Sequence, residues 1–492
     1  INQGDLTFKE QAELYGLADV GYATQAAFFD YDKDGDLDMY LLNHTNLVRD
    51  PNNIKPLISD GSGPANDRLY KNDENLGKGI KFTDVTQQAG IVYDGMGLGL
   101  SIADINKDGW PDVFVTNDFV ANDYIYINQE DGTFKESAHS LLNHVSQFSM
   151  GNDIADFNND GLFDLITLDM RPEDNFHAKK MTGPLNFNQF EMSLRQGYMP
   201  QYMRNTLQVN TGFGNTSGSS FSEIGQLAGV DATDWSWSPL FADFDNDGLK
   251  DLFITNGYLR DITDLDFINY TSNLSMNISN SDSLDIILKQ MAKERPSIKS
   301  SNYMFKNNGG LSFENATEKW GLDYPSLSNG AAYADLDHDG DLDLVVNTIN
   351  ETALVYENLS NTMSKNHFLN VNLKGDSLNT TAVDAEVRLF QSDKNQLLRK
   401  SITRGYQSSM DHNLHFGLGK NSKIDSLLVT WPDGSIKKIL NVEADQNITL
   451  QKDSGSTVTS EYHQRPDESF KEVTDKLDLE VHHGETVYYD FN

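Results

Sequence analysis

The string DYDKDGDLD at residues 30–38 returns four more times, as DINKDGWPD (104–112), DFNNDGLFD (156–164), DFDNDGLKD (243–251) and DLDHDGDLD (335–343). Recurrence at intervals of tens of residues marks a chain built from repeated structural units. The copies begin 74, 52, 87 and 92 residues apart, so the unit is about 50 residues long and several copies carry insertions. A loop of the form D-x-[DN]-x-[DN]-G-x-x-D presents side-chain oxygens at positions 1, 3, 5 and 9 and a main-chain carbonyl at position 7. Calcium takes six to eight such hard oxygens, and glycine at position 6 permits the sharp turn that points them inward. An EF-hand would close its shell with glutamate at position 12, but these positions hold Leu41, Val115, Thr167, Ile254 and Val346. The ninth residue therefore has to close each loop, and the loop joins two strands.

On this reading the first site uses Asp30, Asp32, Asp34 and Asp38 with the carbonyl of Asp36. The second uses Asp104, Asn106, Asp108 and Asp112 with the carbonyl of Trp110, and the third Asp156, Asn158, Asp160 and Asp164 with that of Leu162. The fourth uses Asp243, Asp245, Asp247 and Asp251 with Leu249, and the fifth Asp335, Asp337, Asp339 and Asp343 with Asp341. About five calcium ions are expected, in a structural role. Crowded carboxylates repel one another without the cation, so binding should be coupled to folding.

The surroundings of the loops repeat as well. A small-and-apolar run precedes each (AAFF, LSIA, NDIA, PLFA, AAYA) and an apolar run follows it (MYLL, VFVT, LITL, LFIT, LVVN). An aromatic–polar segment comes next: RLYKN (68–72), DYIYIN (123–128), NTLQVN (205–210), NYMFKN (302–307) and ALVYEN (353–358). Then comes a segment with phenylalanine, as in KFTDVTQQAGI (81–91), SFSEIGQLAGV (220–230) and SFENATEKWGL (312–322). Four short strands per unit, separated by Gly, Asp and Asn turns, predict an all-β chain of propeller blades, with a β-solenoid as the other possible architecture. Ile1-Asn2-Gln3 followed by GDLTFKE aligns with Ile127-Asn128-Gln129 followed by EDGTFKE, so the first residues are expected to lie partway along a unit. SFKEVTDKLDL (469–479) is expected to open a further unit over 469–492. Insertions at about 171–204 and 258–300, the latter with SLDIILKQMAKE, predict helices or lids on one rim.

The five strings in this strand context resemble FG-GAP or VCBS repeats of calcium-binding propellers. That resemblance covers roughly 1–362 and implies a ring that is seven-bladed when complete. From 363 to 452 the aspartate strings stop, and RGYQSS, LHFGLG and WPDG resemble the ASPIC/UnbV domain of the cartilage-acidic-protein-like family, here a small β-sandwich-like domain. Asp384 in AVDAEV departs from the glycine usual there, so the local turn is expected to differ. Residues 453–468 read as a linker.

Lys+Arg 38 against Asp+Glu 74 gives a formal charge of −36, which argues against a nucleic-acid partner. No apolar run is long enough to span a membrane. The chain has no cysteine, which removes disulfides, thiolate catalysis and cysteine-based metal sites. No G-x-S-x-G, H-E-x-x-H, P-loop or G-x-G-x-x-G occurs, and GMGLGL (95–100) reads as a strand packed at close quarters. His412 and His415 read as packing or hydrogen-bonding groups, His338 as facing solvent, and Trp235 and Trp237 as inter-blade packing or, less simply, a sugar platform. The aromatic insertion FNQFEMSLRQGYMPQYMR (187–204) is the candidate partner surface.

The composite expectation is an exported, non-enzymatic, calcium-stabilised binding or scaffolding module at the cell surface, with a protein or glycan partner. The resemblance implies that related long bacterial chains are lipoproteins of the outer surface. The alternatives are an accessory lipoprotein subunit of an outer-membrane β-barrel uptake or export complex, and a polysaccharide-active enzyme with its site in the central channel or under an insertion.

Overall fold

The computed structural model describes residues 1–46, 50, 52–72, 81–181, 183, 185–212, 220–278, 281–392 and 394–452. The expected linker at 453–468 and the expected further unit at 469–492 lie outside these residues.

Each aspartate string joins the first two strands of an antiparallel sheet. The first sheet runs Tyr22–Phe29, Asp38–His44, Arg68–Asn72 and Phe82–Asp84, and the second Gly97–Ala103, Asp112–Asn117, Tyr124–Asn128 and Phe134–Glu136. The third runs Asn152–Ala155, Asp164–Thr167, Thr206–Asn210 and Phe221–Glu223, and the fourth Ser236–Ala242, Asp251–Asn256, Tyr303–Asn307 and Phe313–Asn315. Among the described residues the fifth holds three, Ser328–Ala334, Asp343–Thr348 and Leu354–Tyr356, and after Asn358 the chain enters the second domain. Val355 and Met363 are 64% and 85% exposed.

First strands of consecutive sheets lie side by side in chain order. Thr24 Oγ1 donates to the Gly97 carbonyl (2.8 Å), Ser101 Oγ to Asn152 Oδ1 (2.7 Å), and the Phe241 N–H to Asp153 Oδ2 (2.8 Å). The approach is close where glycine permits it. A Cβ on Gly99 would stand 2.8 Å from the Asn152 nitrogen, which is the role expected of GMGLGL. Between sheets the apolar faces interleave into continuous cores, such as Phe157, Phe241, Leu207 and Ile254 between the third and fourth sheets. Trp235 and Trp237 pack against this core, stacked on each other at 5.9 Å, with Trp237 Nε1 donating to the Gly257 carbonyl. The insertions hold the expected helices, Asn175–Lys180 and Phe187–Arg195 in one and Leu265–Asn277 and Ser281–Glu294 in the other.

The second domain packs a three-stranded sheet (Asn413–Gly419, His367–Lys374, Gln446–Gln451) against a four-stranded one (Lys394–Arg399, Glu386–Gln391, Lys423–Thr430, Ile436–Glu443) around Trp431, Phe416, Leu389 and Leu427. Asp384 adopts φ 74°, the conformation glycine takes without strain, and its carboxylate is held by Arg399 at 3.0 Å.

Candidate metal centres

The five loops share one backbone. Position 4 is left-handed in every copy, with φ between 55° and 65° at Lys33, Lys107, Asn159, Asn246 and His338. The glycine at position 6 follows with φ between 88° and 100°. This double turn aims main-chain N–H groups at the aspartates. The N–H of position 5 donates to the first aspartate in all five loops, for example Asp160 to Asp156 Oδ1 at 2.9 Å and Asp339 to Asp335 Oδ1 at 3.1 Å. The N–H of position 7 donates to the position-5 carboxylate, as Leu249 does to Asp247 at 2.9 Å.

The ninth aspartate closes the loop by reaching two strands. In the fourth loop Asp251 accepts from the Phe244 N–H (3.2 Å) and from the Asn307 N–H at the end of the third strand (2.9 Å). The same asparagine recurs in all five sheets, as Asn72, Asn128, Asn210, Asn307 and Asn358. From the second sheet onward its side chain also donates to a carbonyl of the preceding loop. Asn307 Nδ2 thus binds both the Lys250 carbonyl of its own loop and the Phe157 carbonyl of the one before, each at 3.0 Å.

Position 4 carries the contact in the other direction. Lys33 lies over the Trp110 ring, Lys107 over the Phe163 ring, and the amides of Asn159 and Asn246 donate to the Gly248 and Gly340 carbonyls. The middle three loops are therefore fastened to their neighbours on both sides. The last position-4 residue has no following loop among the described residues, and His338 is exposed there, as expected.

Carboxylate oxygens of Asp30, Asp32 and Asp38 converge within 4.8 Å, as do those of Asp243, Asp245 and Asp251, and of Asp335, Asp337 and Asp339. These clusters could hold a metal ion. The position-5 residues Asp34 and Asp247 stand outside the first two groups and Asp343 outside the third. In the second and third loops position 3 is an amide, and Asn106 and Asn158 donate to Asp108 and Asp160 at 2.6 and 2.9 Å. The donor set is all oxygen, which suits a hard cation. One of its oxygens, Oδ1 of Asp32, is buried with no hydrogen-bond partner, as an oxygen reserved for a cation would be.

Burial makes these carboxylates costly to ionise. It pushes Asp30 up to about 7, with repulsion from Asp34 and Asp32 adding to it, and Asp38 up to about 9. Asp112, Asp164, Asp243 and Asp251 are likewise raised well above the ordinary carboxylate value by burial. A divalent cation would reverse the effect by supplying the missing positive charge.

The second domain sits on the loop side of the sheets. Gly419 N–H donates to the Asn246 carbonyl (2.8 Å), Asn366 Nδ2 to the Asp245 carbonyl (2.8 Å), and Asn370 Nδ2 to Asp335 Oδ2 (3.2 Å). His415 is buried between Asn370 Oδ1 and Asn246 Oδ1, at 2.7 and 2.6 Å, a hydrogen-bonding role as expected. The RGYQSS segment, Arg404 to Ser409, forms part of a hairpin that touches the first strands of all five sheets. Thr403 Oγ1 donates to the Ala26 carbonyl, Gly405 N–H to that of Asn152, Tyr406 N–H to Ser238 Oγ and Ala331 N–H to Ser408 Oγ.

Residues 375–457 match the ASPIC and UnbV family, and residues 104–167 match the FG-GAP-like repeat. The chain is an FG-GAP-repeat protein with an ASPIC/UnbV domain. This FG-GAP/UnbV chain is 24% identical over 451 residues to cartilage acidic protein 1 of Xenopus tropicalis, covering 90% of this chain and 57% of that protein. It is 24% identical over 383 residues to cartilage acidic protein 1 of Homo sapiens, covering 77% and 47%. The chain spans about half the length of the curated relatives it matches. The crystal structure of the V. cholerae biofilm matrix protein Bap1 is similar at a TM-score of 0.31 and 12% identity, covering 85% of this chain and 59% of that one.

Three features of the site escaped the sequence reading: the left-handed position 4, the closing asparagine and the docking hairpin. The asparagine left a visible signal, since KN, IN, VN, KN and EN end the five aromatic–polar strands. The hairpin left none, because its partners lie from 71 to 377 residues away in the chain.

Proposed function

We propose that this FG-GAP/UnbV protein is a non-enzymatic scaffold whose sheets are stapled by about five calcium ions and whose exposed rim binds a protein or glycan at the cell surface. The observation that carries the reading is the shared backbone of the five loops, the first four of which present buried aspartates that are costly to ionise in the absence of a cation. The ions would sit at Asp30, Asp32, Asp34 and Asp38; Asp104, Asn106, Asp108 and Asp112; Asp156, Asn158, Asp160 and Asp164; Asp243, Asp245, Asp247 and Asp251; and Asp335, Asp337, Asp339 and Asp343. Carbonyls of Asp36, Trp110, Leu162, Leu249 and Asp341 complete the shells.

Bound calcium supplies the positive charge that lets the carboxylates stay ionised inside the fold. The residues of the chain do the rest: position-4 side chains and closing asparagines transmit the order of one loop to the next. Loops built from weak multi-oxygen sites suit the millimolar calcium outside cells, which supports an exported location. Among the described residues no helix is long and apolar enough to cross a membrane. A ring of seven blades would require sheets beyond the five described.

The hairpin at 403–409 supports a scaffold over an enzyme with a site among the first strands, since that place is filled by the protein itself. The candidate contact surface is the helical rim, where Phe176, Phe187, Tyr202 and Tyr270 are exposed. Equilibrium dialysis with calcium on the desalted chain, paired with thermal unfolding in calcium and in EGTA, tests the reading. About five ions and a large loss of stability in EGTA are expected; less than one ion per chain and superimposable melting curves would refute it.

A further inference from the structure

Lys71 and Lys306 occupy the same register in two different sheets, each immediately before the closing asparagine of the third strand. Their ammonium groups do the same thing. Lys71 Nζ donates to Asp32 and, at 3.2 Å, to Asp34; Lys306 Nζ donates to Asp245 and, at 2.7 Å, to Asp247. In both loops these are the aspartates of positions 3 and 5. The two lysine side chains are only 27% and 22% exposed, so the charge is placed with little freedom to withdraw into solvent.

The other loops show what this lysine goes with. In the second and third sheets its place is taken by Ile127 and Val209, and there position 3 is asparagine (Asn106, Asn158) and not aspartate. One acid and one base are thus present together or absent together. Counting positions 1, 3, 5 and 9 with this strand residue, each of the first four loops carries three net negative charges. The fifth breaks the balance: it keeps aspartate at position 3, and Glu357 stands where the lysine would be.

We infer that Lys71 and Lys306 are internal counter-ions that hold the first and fourth loops together without a cation and lower the affinity of those loops for one. This inference rests on the calcium reading of the loops. An ammonium hydrogen-bonded to two of the prospective ligands repels a divalent ion a few ångströms away, and partial burial keeps that repulsion from being screened. The same contact relieves repulsion between the two carboxylates when the ion is absent.

The test is isothermal titration of the full chain with calcium chloride, on wild type, Lys71→Met, Lys306→Met and the charge-retaining Lys71→Arg, with melting temperatures recorded in EGTA. Each methionine variant should bind one calcium about tenfold tighter or more, and should melt lower than wild type in EGTA, while Lys71→Arg stays near wild type in both. Wild-type uptake of calcium with unchanged or weakened affinity in both methionine variants overturns the counter-ion role alone. No saturable uptake by wild type overturns the calcium reading itself, and the inference with it. If a methionine variant fails to fold in EGTA but folds in calcium, the stabilising half of the inference is supported directly.

Discussion

Arg404 of the ASPIC/UnbV hairpin grips Asp153 on the first strand of the third sheet through two hydrogen bonds, Nε to Oδ1 at 2.7 Å and Nη2 to Oδ2 at 2.5 Å. Asp153 is 1% exposed, and the same guanidinium donates to the Phe241 carbonyl of the fourth sheet and to the Tyr333 hydroxyl of the fifth. One side chain from the second domain therefore ties three sheets of the first. Removing a single member of a buried ion pair strands the other charge, which costs about 3–5 kcal/mol. Arg404→Met should lower the urea midpoint accordingly and split one cooperative transition into two. Coincident single transitions in wild type and variant would show that the hairpin is not what couples the domains.

The closing asparagines make a second, independent prediction. Asn307→Ala removes two donors from the Lys250 and Phe157 carbonyls, both in buried surroundings. Leaving buried acceptors unsatisfied costs about 1–3 kcal/mol each, so a destabilisation of about 2–6 kcal/mol is expected by chemical denaturation. Because one of those carbonyls belongs to the third loop and the other to the fourth, the variant should also weaken calcium uptake at two sites, a loss that titration would count.

Proton linkage follows from the buried aspartates. Asp30 and Asp38 are raised in the fold from 3.8 to about 7 and about 9, chiefly by burial. A carboxyl whose folded value is raised stabilises the fold fully below its unfolded value, and that contribution is lost as pH rises through the folded value. In EGTA the melting temperature should therefore fall as pH climbs from about 4 through 7 and toward 9, and calcium should restore it. Calcium added to weakly buffered protein at pH 7 should release protons. A melting temperature in EGTA that is flat or rises over this window would contradict the assignment.

Two glycines separate local from tertiary constraint. Gly161, at position 6 of the third loop, has φ 88° and open space where a Cβ would stand. Gly161→Ala should cost only the left-handed penalty, about 1–2 kcal/mol. Gly99 has an ordinary backbone, but its Cβ would meet Thr116 Oγ1 at 2.4 Å and the Asn152 nitrogen at 2.8 Å. Gly99→Ala should cost about 1–3 kcal/mol by pushing the second and third sheets apart. Parallel urea titrations decide it, and equal effects with no change in the packing of Asn152 would count against the close-approach argument.

The loops were legible because most of what shapes them is local. A nine-residue string contains its own turn glycine, its own oxygens and the start of the second strand, so DINKDGWPD and DFDNDGLKD take the same backbone wherever they stand. Strand order within each sheet followed for the same reason, from apolar runs a few residues apart. The fifth sheet shows the limit, since repetition predicts a phenylalanine strand soon after Asn358 and the chain instead enters another domain there. What covers the first strands was beyond the sequence altogether: Thr403 meets Ala26, 377 residues away, and Arg404 meets Asp153, 251 away. RGYQSS displays no periodicity that names its partners, and the complementarity of a guanidinium for one buried carboxylate exists only once five sheets are assembled. The repeat, the glycine turn and oxygens of its loops and the two modules can be read from short local stretches, whereas the way the second module locks the first emerges only on folding, because it is set by burial between residues far apart in the chain.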